Sequence, residues 1–417
     1  MGNLSTLDSG STAWILTSTA LVLFMTLPGL ALFYGGLVRT QNVLSVLMQC
    51  FAITALVTLI WLAFGYSVAL GPPGYEAGAI GLRSFVGGLS KAFLSGIGAG
   101  TLWGAIPEPL FFAYQLNFAI ITPALIVGAF AERMSFSALL LFSGLWLVLV
   151  YLPICHMVWG GQGAFFADLG VFDFAGGIVV HITAGIAALV ACLVIGPRHG
   201  FPRTAMPPHN LTMTVTGTGM LWVGWFGFNA GSALAANGTA ATALVATHVS
   251  ASAAALTWMA IEWVRFGRPS VLGLATGAVA GLAAVTPASG FVGPAGALVI
   301  GTVAAAICWY ASTAVKRRFG YDDSLDVFGV HGVGGFLGTV LVAVFASDVF
   351  GGNQAGLAIG RQLAVQLGAA VFTVVYSAGV TWGILRAVAA LTELRVDDAQ
   401  ERRGLDISIH GEEGYHL

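Results

Sequence analysis

The chain has 417 residues, 57% of them hydrophobic and only 8% charged, with a formal net charge of −2 and a mean hydropathy of +0.89. Soluble domains carry about 25% charged residues, so this composition excludes a water-exposed globular surface and puts most of the surface in lipid. The near-neutral balance offers nothing for nucleic acid to bind.

Glycine is abundant, at 57 residues against a usual share of ~7%. In a membrane such small residues let helices pack closely. The cysteines, Cys50, Cys155, Cys192 and Cys308, all lie in apolar runs without metal-ligand spacing. They read as small packing residues, so no metal, cofactor or disulfide framework is expected. Met1 to Thr12 contains neither Lys nor Arg. No secretory signal is therefore expected, and the first apolar run is read as retained.

Runs of about 20 apolar residues mark membrane spans. They are placed at 13–38, 43–70, 112–131, 137–158, 176–195, 208–231, 239–264, 270–287, 292–315, 329–347 and 358–391. The stretch 88–106 is apolar but glycine-rich and runs into Pro107-Glu108-Pro109, so it is read as an outer loop with a short helix. The expected fold is an all-α polytopic membrane protein of eleven transmembrane helices, N-terminus outside and C-terminus inside. Charge supports that parity. Of the 16 basic residues only Arg83, Lys91 and Arg361 fall outside; the rest, from Arg39 and Arg133 through Arg198, Lys316 and Arg403, fall inside.

Eleven spans divide into five, five and one. Because five is odd, the second set enters the membrane from the opposite side, the inverted repeat common in transporters. The halves are 13–195 and 208–347, followed by a long last helix at 358–391. Residues 1–391 then form one transmembrane domain, and 392–417 a cytoplasmic tail.

Two histidines interrupt this apolar pattern. His181 lies in Asp173-Phe-Ala-Gly-Gly-Ile-Val-Val-His181, and His331 in Asp326-Val-Phe-Gly-Val-His331. An ionisable side chain at bilayer depth is costly and usually faces a pathway. One at each matching position of inverted halves points to a translocation path. Lone histidines bonding neighbouring helices are the plainer alternative. Asp173 suits a helix N-terminus or a cation arriving from outside. Asp326 is read as structural, near the inner face. Aromatics form a second constellation: Trp159 at an outer helix end, Trp222, Trp225, Phe226 and Phe228 before Ser232, and Phe111, Phe112, Tyr114 and Phe118. Aromatic faces attract cations, although an interfacial belt would look similar.

These residues resemble the ammonium transporter (Amt/MEP/Rh) family. The resemblance rests on Asp173 to Gly185, on Trp225-Phe-Gly-Phe228-Asn-Ala-Gly-Ser232, and on Asp326 to Gly335. It rests also on Leu125 to Phe136 and Pro28 to Arg39, and covers Trp14 to about Tyr415. It implies a stacked phenylalanine gate at Phe118 and Phe228, and a cation-recruiting site at Trp159 and Ser232. It further implies a pore-lining Trp225, a twin-histidine pair at His181 and His331, and an acidic residue near the vestibule at Asp173. The recruiting set resembles the Amt branch. Tyr114 stands where many bacterial members carry phenylalanine, and keeps an aromatic face in that recruiting position. The tail, with Gly404-Leu-Asp-Ile-Ser-Ile-His-Gly, resembles the family segment that contacts neighbouring subunits and a PII-type signalling protein. Without the resemblance it would be read as a disordered terminus. A homotrimer in a prokaryotic cytoplasmic membrane is implied as well.

The function so implied is ammonium transport, with methylammonium as an analogue. Ammonium is recruited outside, deprotonated near the gate and conducted past the histidines as ammonia, with proton coupling open. The alternatives are an ammonium sensor signalling through the tail and a carrier for another small solute. No nucleophile–base pair, metal set or phosphate loop points to an enzyme.

Overall fold

The computed structural model describes residues 6–415 except 73 and 75. Its body is a bundle of long helices. In chain order these are α1 (Ser9–Leu37), α2 (Thr40–Leu70), α3 (Glu108–Phe130), α4 (Phe136–Trp159) and α5 (Gly177–Ile195). They continue with α6 (Leu211–Gly231), α7 (Gly238–Phe266), α8 (Val271–Val285), α9 (Pro294–Phe319), α10 (Phe328–Phe345) and α11 (Ile359–Leu391). Among the described residues, 9 of these are long and apolar enough to cross a membrane. Of the other two, α8 is apolar but has 15 residues, and α6, rich in Thr and Gly, has 21.

Side-chain caps set many of the starts. Asp8, Asn210, Asn237 and Ser270 each accept a backbone N–H in the first turn of α1, α6, α7 and α8. Large apolar side chains such as Leu16, Leu59, Val264, Tyr310 and Trp382 stay exposed on the outside of the bundle. In lipid that is the stable arrangement.

The stretch between α2 and α3 does not cross. It forms short 3₁₀ turns at Leu82–Ser84 and Ala92–Leu94, then a two-stranded hairpin of β1 (Leu102–Trp103) and β2 (Ile106–Pro107). The helix α3 begins at Glu108, earlier than its apolar run. Burial of that charge is made tolerable by Lys91, which pairs with it, and by the Tyr66 hydroxyl, which donates to it at 2.8 Å.

At the other end of the bundle the basic residues are knitted to acids. Arg198 grips Asp322 through two nitrogens at 2.8 and 2.9 Å, and Arg39 meets Glu132 at 2.7 Å. Arg133 has no exposed surface and donates to the carbonyls of Ala129, Asp322 and Gly196 and to the Ser324 hydroxyl. Burial pushes the Asp322 carboxyl up, but Arg198 and Arg133 overcome it and hold it below the usual range.

The tail folds onto this end. Val396 N–H donates to Arg133 O, and Asp397 caps the short helix α12 (Asp398–Arg403). Glu401, fully buried, accepts from His199 N–H and Arg395 at 2.6 Å each. Asp406 accepts the N–H groups of Leu44 and Ser45 at 3.0 and 2.7 Å, and the Tyr415 hydroxyl lies 3.2 Å from His209 Nε2. The segment is therefore docked through Tyr415, which corrects the reading of a disordered terminus.

Candidate functional site

Two helices bring the histidines together. Each starts with a π-helical turn that contains its histidine, Gly177–Ile182 in α5 and Phe328–Gly332 in α10. Such turns recur at functional sites. The helices approach from opposite ends, and glycines allow their contact. A Cβ on Gly335 would lie 2.6 Å from the Cβ of His181, and one on Gly185 would collide with the backbone of Gly332. The rings meet with Nδ1 to Nδ1 at 3.3 Å and centroids 5.2 Å apart. A hydrogen bond between two Nδ1 atoms needs one proton between them. The two neutral rings are therefore opposite tautomers, and one Nε2 is a donor while the other is an acceptor. His181 Nε2 has no partner among the described residues.

A column of rings leads from the opposite end of the bundle to this pair. Trp159 meets Phe118 edge-on at 5.7 Å, and Phe118 stacks on Phe228 at 4.2 Å. His181 lies 6.3 Å from Phe228 and stacks on Trp225 at 5.6 Å. Trp225 is held by Thr286, whose hydroxyl accepts from its indole N–H at 2.9 Å. Below the stacked pair is a chamber of about 10 Å³, lined by Ile121, Leu125, Trp225, Phe228, His181 and His331. That is about the room that one water-sized molecule needs. A second cavity of about 200 Å³ shares Phe33, Val279 and His331 with the chamber and opens toward the tail end past Tyr34, Ser324 and Asp326.

The residues expected to recruit a cation lie around the first members of this column, Trp159 and Phe118. The Ser232 hydroxyl donates to Phe228 O at 2.8 Å, which leaves its lone pairs free. The Trp159 indole N–H donates to Asp173 O at 2.9 Å, fixing the ring. Tyr114 is fully buried, and its ring packs edge-on behind Phe118 at 5.1 Å. Its hydroxyl is turned to the carbonyls of Gly227 and Phe228 and lies 3.3 Å from Ser232 Oγ. Tyr114 thus lies between Phe118 and Ser232, with its hydroxyl turned to backbone acceptors in the interior.

Asp173 is taken up by the start of α5. Its carboxylate accepts four backbone N–H groups, from Gly176 (3.0 Å), Gly177 (2.5 Å), Ile178 (2.9 Å) and Val179 (3.1 Å). These are the free donors at the start of α5. Gly176, at φ +119°, makes the turn that folds the helix start back onto the carboxylate. Burial pushes the Asp173 carboxyl up to about 6, against the pull of the four amides.

Asp326 is not its counterpart on α10. It forms an ion pair with Lys316 at 2.8 Å on the wall of the larger cavity. The counterpart is Asp323, which accepts Phe328 N–H at 2.7 Å through one oxygen while the other has no partner among the described residues. Asp323 is 1% exposed, and burial pushes its carboxyl up to about 6. The signal is present in the chain. Asp173 and Asp323 stand at the same offset from His181 and His331, and Asp326 does not. Among the described residues no cluster of His, Cys, Asp or Glu could hold a metal ion.

A closed column of rings ending in two buried histidines, inside a bundle with a lipid-facing exterior, defines a multi-pass membrane transport protein. Residues 13–415 match the Ammonium Transporter Family, and the chain belongs to that family. It is 48% identical over 413 residues to an ammonium transporter of Aquifex aeolicus, covering 99% of this chain and 94% of that protein. It is 43% identical to the ammonium transporter Amt1 of Archaeoglobus fulgidus, covering 98% of this chain and 100% of that one. Its fold matches the crystal structure of Saccharomyces cerevisiae Mep2 with a TM-score of 0.85 at 33% identity, over 95% of this chain and 89% of that one. A structure described as a sensor Amt protein matches with a TM-score of 0.88 at 26% identity, over 98% and 100% of the two chains. The protein is a multi-pass membrane ammonium transporter.

Proposed function

We propose that ammonium is captured at Trp159 and Ser232, loses its proton at the Phe118–Phe228 gate, and passes Trp225, His181 and His331 as ammonia. The observation that carries this reading is the one-molecule chamber, closed by stacked phenylalanines and lined by both histidines. An ion in such a dry space faces an idealised Born cost of order 20 kcal/mol. Ammonium escapes it by giving up a proton, and potassium has none to give. Ammonia is then met by one imidazole donor and one acceptor. Ser232, with lone pairs free, and the fixed Trp159 face suit the charged form outside. Asp173 and Tyr114 hold the recruiting site and gate in shape.

The same frame extends to the membrane and to partners. All eleven helices span, in two inverted halves at 13–195 and 208–347 plus α11, with the tail at 392–417 inside. The enrichment of Arg and Lys at the tail end supports that orientation. A homotrimer is part of the same reading and rests on the family resemblance. The docked tail presents an ordered surface suited to a PII-type protein. The sensor reading rests on one fold match at lower identity than the transporters, and is not favoured.

The test is current on a solid-supported membrane carrying liposomes with purified protein, pulsed with ammonium and with potassium. The expected result is a transient current for ammonium alone, lost in His181→Ala. Internal alkalinisation without current identifies neutral conduction. A potassium current of equal size, or full selective transport in His181→Ala, overturns the mechanism. Ammonium binding with neither signal turns the reading to the sensor.

A further inference from the structure

We infer that Gln366, supported by Gln362, is a positioning residue for the outer cation site: α11 holds the backbone on which that site is built. This inference rests on the recruiting role proposed for Trp159. Gln366 lies in α11, outside the two five-helix halves, and is fully buried. Its side-chain amide pairs with both backbone groups of Phe172, as a neighbouring strand would. Phe172 N–H donates to Oε1 at 2.8 Å, and Nε2 donates to Phe172 O at 2.8 Å. Nε2 also donates to Thr339 O at 3.0 Å, on α10. Gln362 Nε2 donates to Gly170 O at 2.9 Å and to Gln366 Oε1 at 3.2 Å. This partner set fixes which end of the Gln366 amide is oxygen.

The held segment matters because Asp173 is the next residue after Phe172. The Asp173 carbonyl fixes the Trp159 indole and its carboxylate starts α5, the helix of His181. Phe174 N–H donates to Pro287 O at 3.1 Å. Backbone groups around Asp173 are thus fastened to α4, to α11 and to the turn after α8, and Gln366 supplies the two bonds just before it. An apolar side chain at this position leaves a buried N–H and C=O without partners, and the local backbone must shift to find others. The shift moves Asp173 O, and with it the Trp159 face. The histidine pair is held separately, by the close glycine contacts between α5 and α10, and moves less.

The readout is a split between affinity and maximal rate. In Gln366→Leu the ammonium concentration for half-maximal current rises about tenfold, the scale on which a supporting hydrogen bond controls a bound-ion site. Maximal current per transporter stays within about twofold, since the conduction step is untouched. Gln366→Glu, which keeps the acceptor for Phe172 N–H and loses the donor, falls between wild type and Gln366→Leu. Gln362→Leu, which loses the bonds to Gly170 O and to Gln366 Oε1 but keeps both bonds between Gln366 and Phe172, shows a smaller rise in the same direction and serves if Gln366→Leu does not fold. A lower melting temperature with half-saturation unchanged in these variants overturns the inference and leaves Gln366 purely structural. A fall in maximal current at constant half-saturation overturns it as well. Failure of wild type to carry ammonium would instead strike the proposed function, so the two outcomes are separable.

Discussion

The starts of α5 and α10 solve one problem in two ways. Each is a π-helical turn carrying one of the paired histidines, and each has an aspartate at the same offset before it. At α5 the carboxylate is saturated by four amides, its own carbonyl holds Trp159, and the residue before it is gripped by Gln366. At α10 the carboxylate of Asp323 accepts one amide and keeps one oxygen unpartnered among the described residues, with the Lys316–Asp326 pair nearby. The start of α5 is thus built for rigidity. The start of α10 carries an unsatisfied buried oxygen, and its charge is moderated by a nearby cation as well as by an amide. On the proposed route, a capture site gains from a fixed shape and a release side does not.

The strongest way to break the comparison is an asparagine at each aspartate. Asp173→Asn replaces one acceptor oxygen by an NH₂ group that faces two backbone donors. Two buried N–H groups lose their partner, at about 1–3 kcal/mol each. Transport is expected to be lost or nearly so, with a large fall in melting temperature. In Asp323→Asn the remaining oxygen still accepts Phe328 N–H, and the NH₂ group occupies a place where nothing is bonded. A buried charge is removed at the same time. Stability near neutral pH is expected to change by about 1 kcal/mol or less, because only one bond was at stake and it is kept. Melting curves and ammonium currents of the two variants decide the matter. Equal losses would mean that the two helix starts are equivalent after all.

Much of this arrangement is legible in the chain, and the rest is not for identifiable reasons. Hydropathy locates the helices because their exteriors face lipid, and it places α5 to within a residue. The ring column is legible because Trp225, Phe228 and Ser232 sit on one helix at helical spacing. Glu108 hides the true start of α3, since its charge breaks the apolar run and its partners Lys91 and Tyr66 lie elsewhere in the chain. The tail looks like a free end because its stability comes from Asn42, Leu44, Ser45 and His199, far away in sequence. Gln366 is invisible for the same cause: a glutamine in a long helix shows no sign of which backbone it will grip. Asp326 draws attention ahead of Asp323 by its nearness to the histidine, although the matching offset is there to be read.

A finer break concerns the cation near Asp323, and it gives the smallest expected effect. Lys316 pairs with Asp326, and the two side chains are 16% and 33% exposed. Such a pair contributes about 1 kcal/mol or less, so Lys316→Met should lower the melting temperature only slightly. The informative part is the pH dependence. Burial pushes Asp323 up to about 6, and the charge of Lys316 works against that rise. A carboxyl raised above its unfolded value of 3.8 holds its proton more firmly in the folded state. Its contribution to stability is therefore full below 3.8 and is lost as pH rises toward about 6. With Lys316 gone, the folded-state value climbs further and the decline extends to higher pH. Melting temperature recorded against pH for Lys316→Met, and for Lys316→Met combined with Asp323→Asn, isolates this carboxyl from Asp173, which both variants retain. An extended decline in the single variant that vanishes in the double one places the titrating group at Asp323. Identical curves would mean that the unpartnered oxygen does not feel Lys316, and the start of α10 would then lose the feature that sets it apart from that of α5.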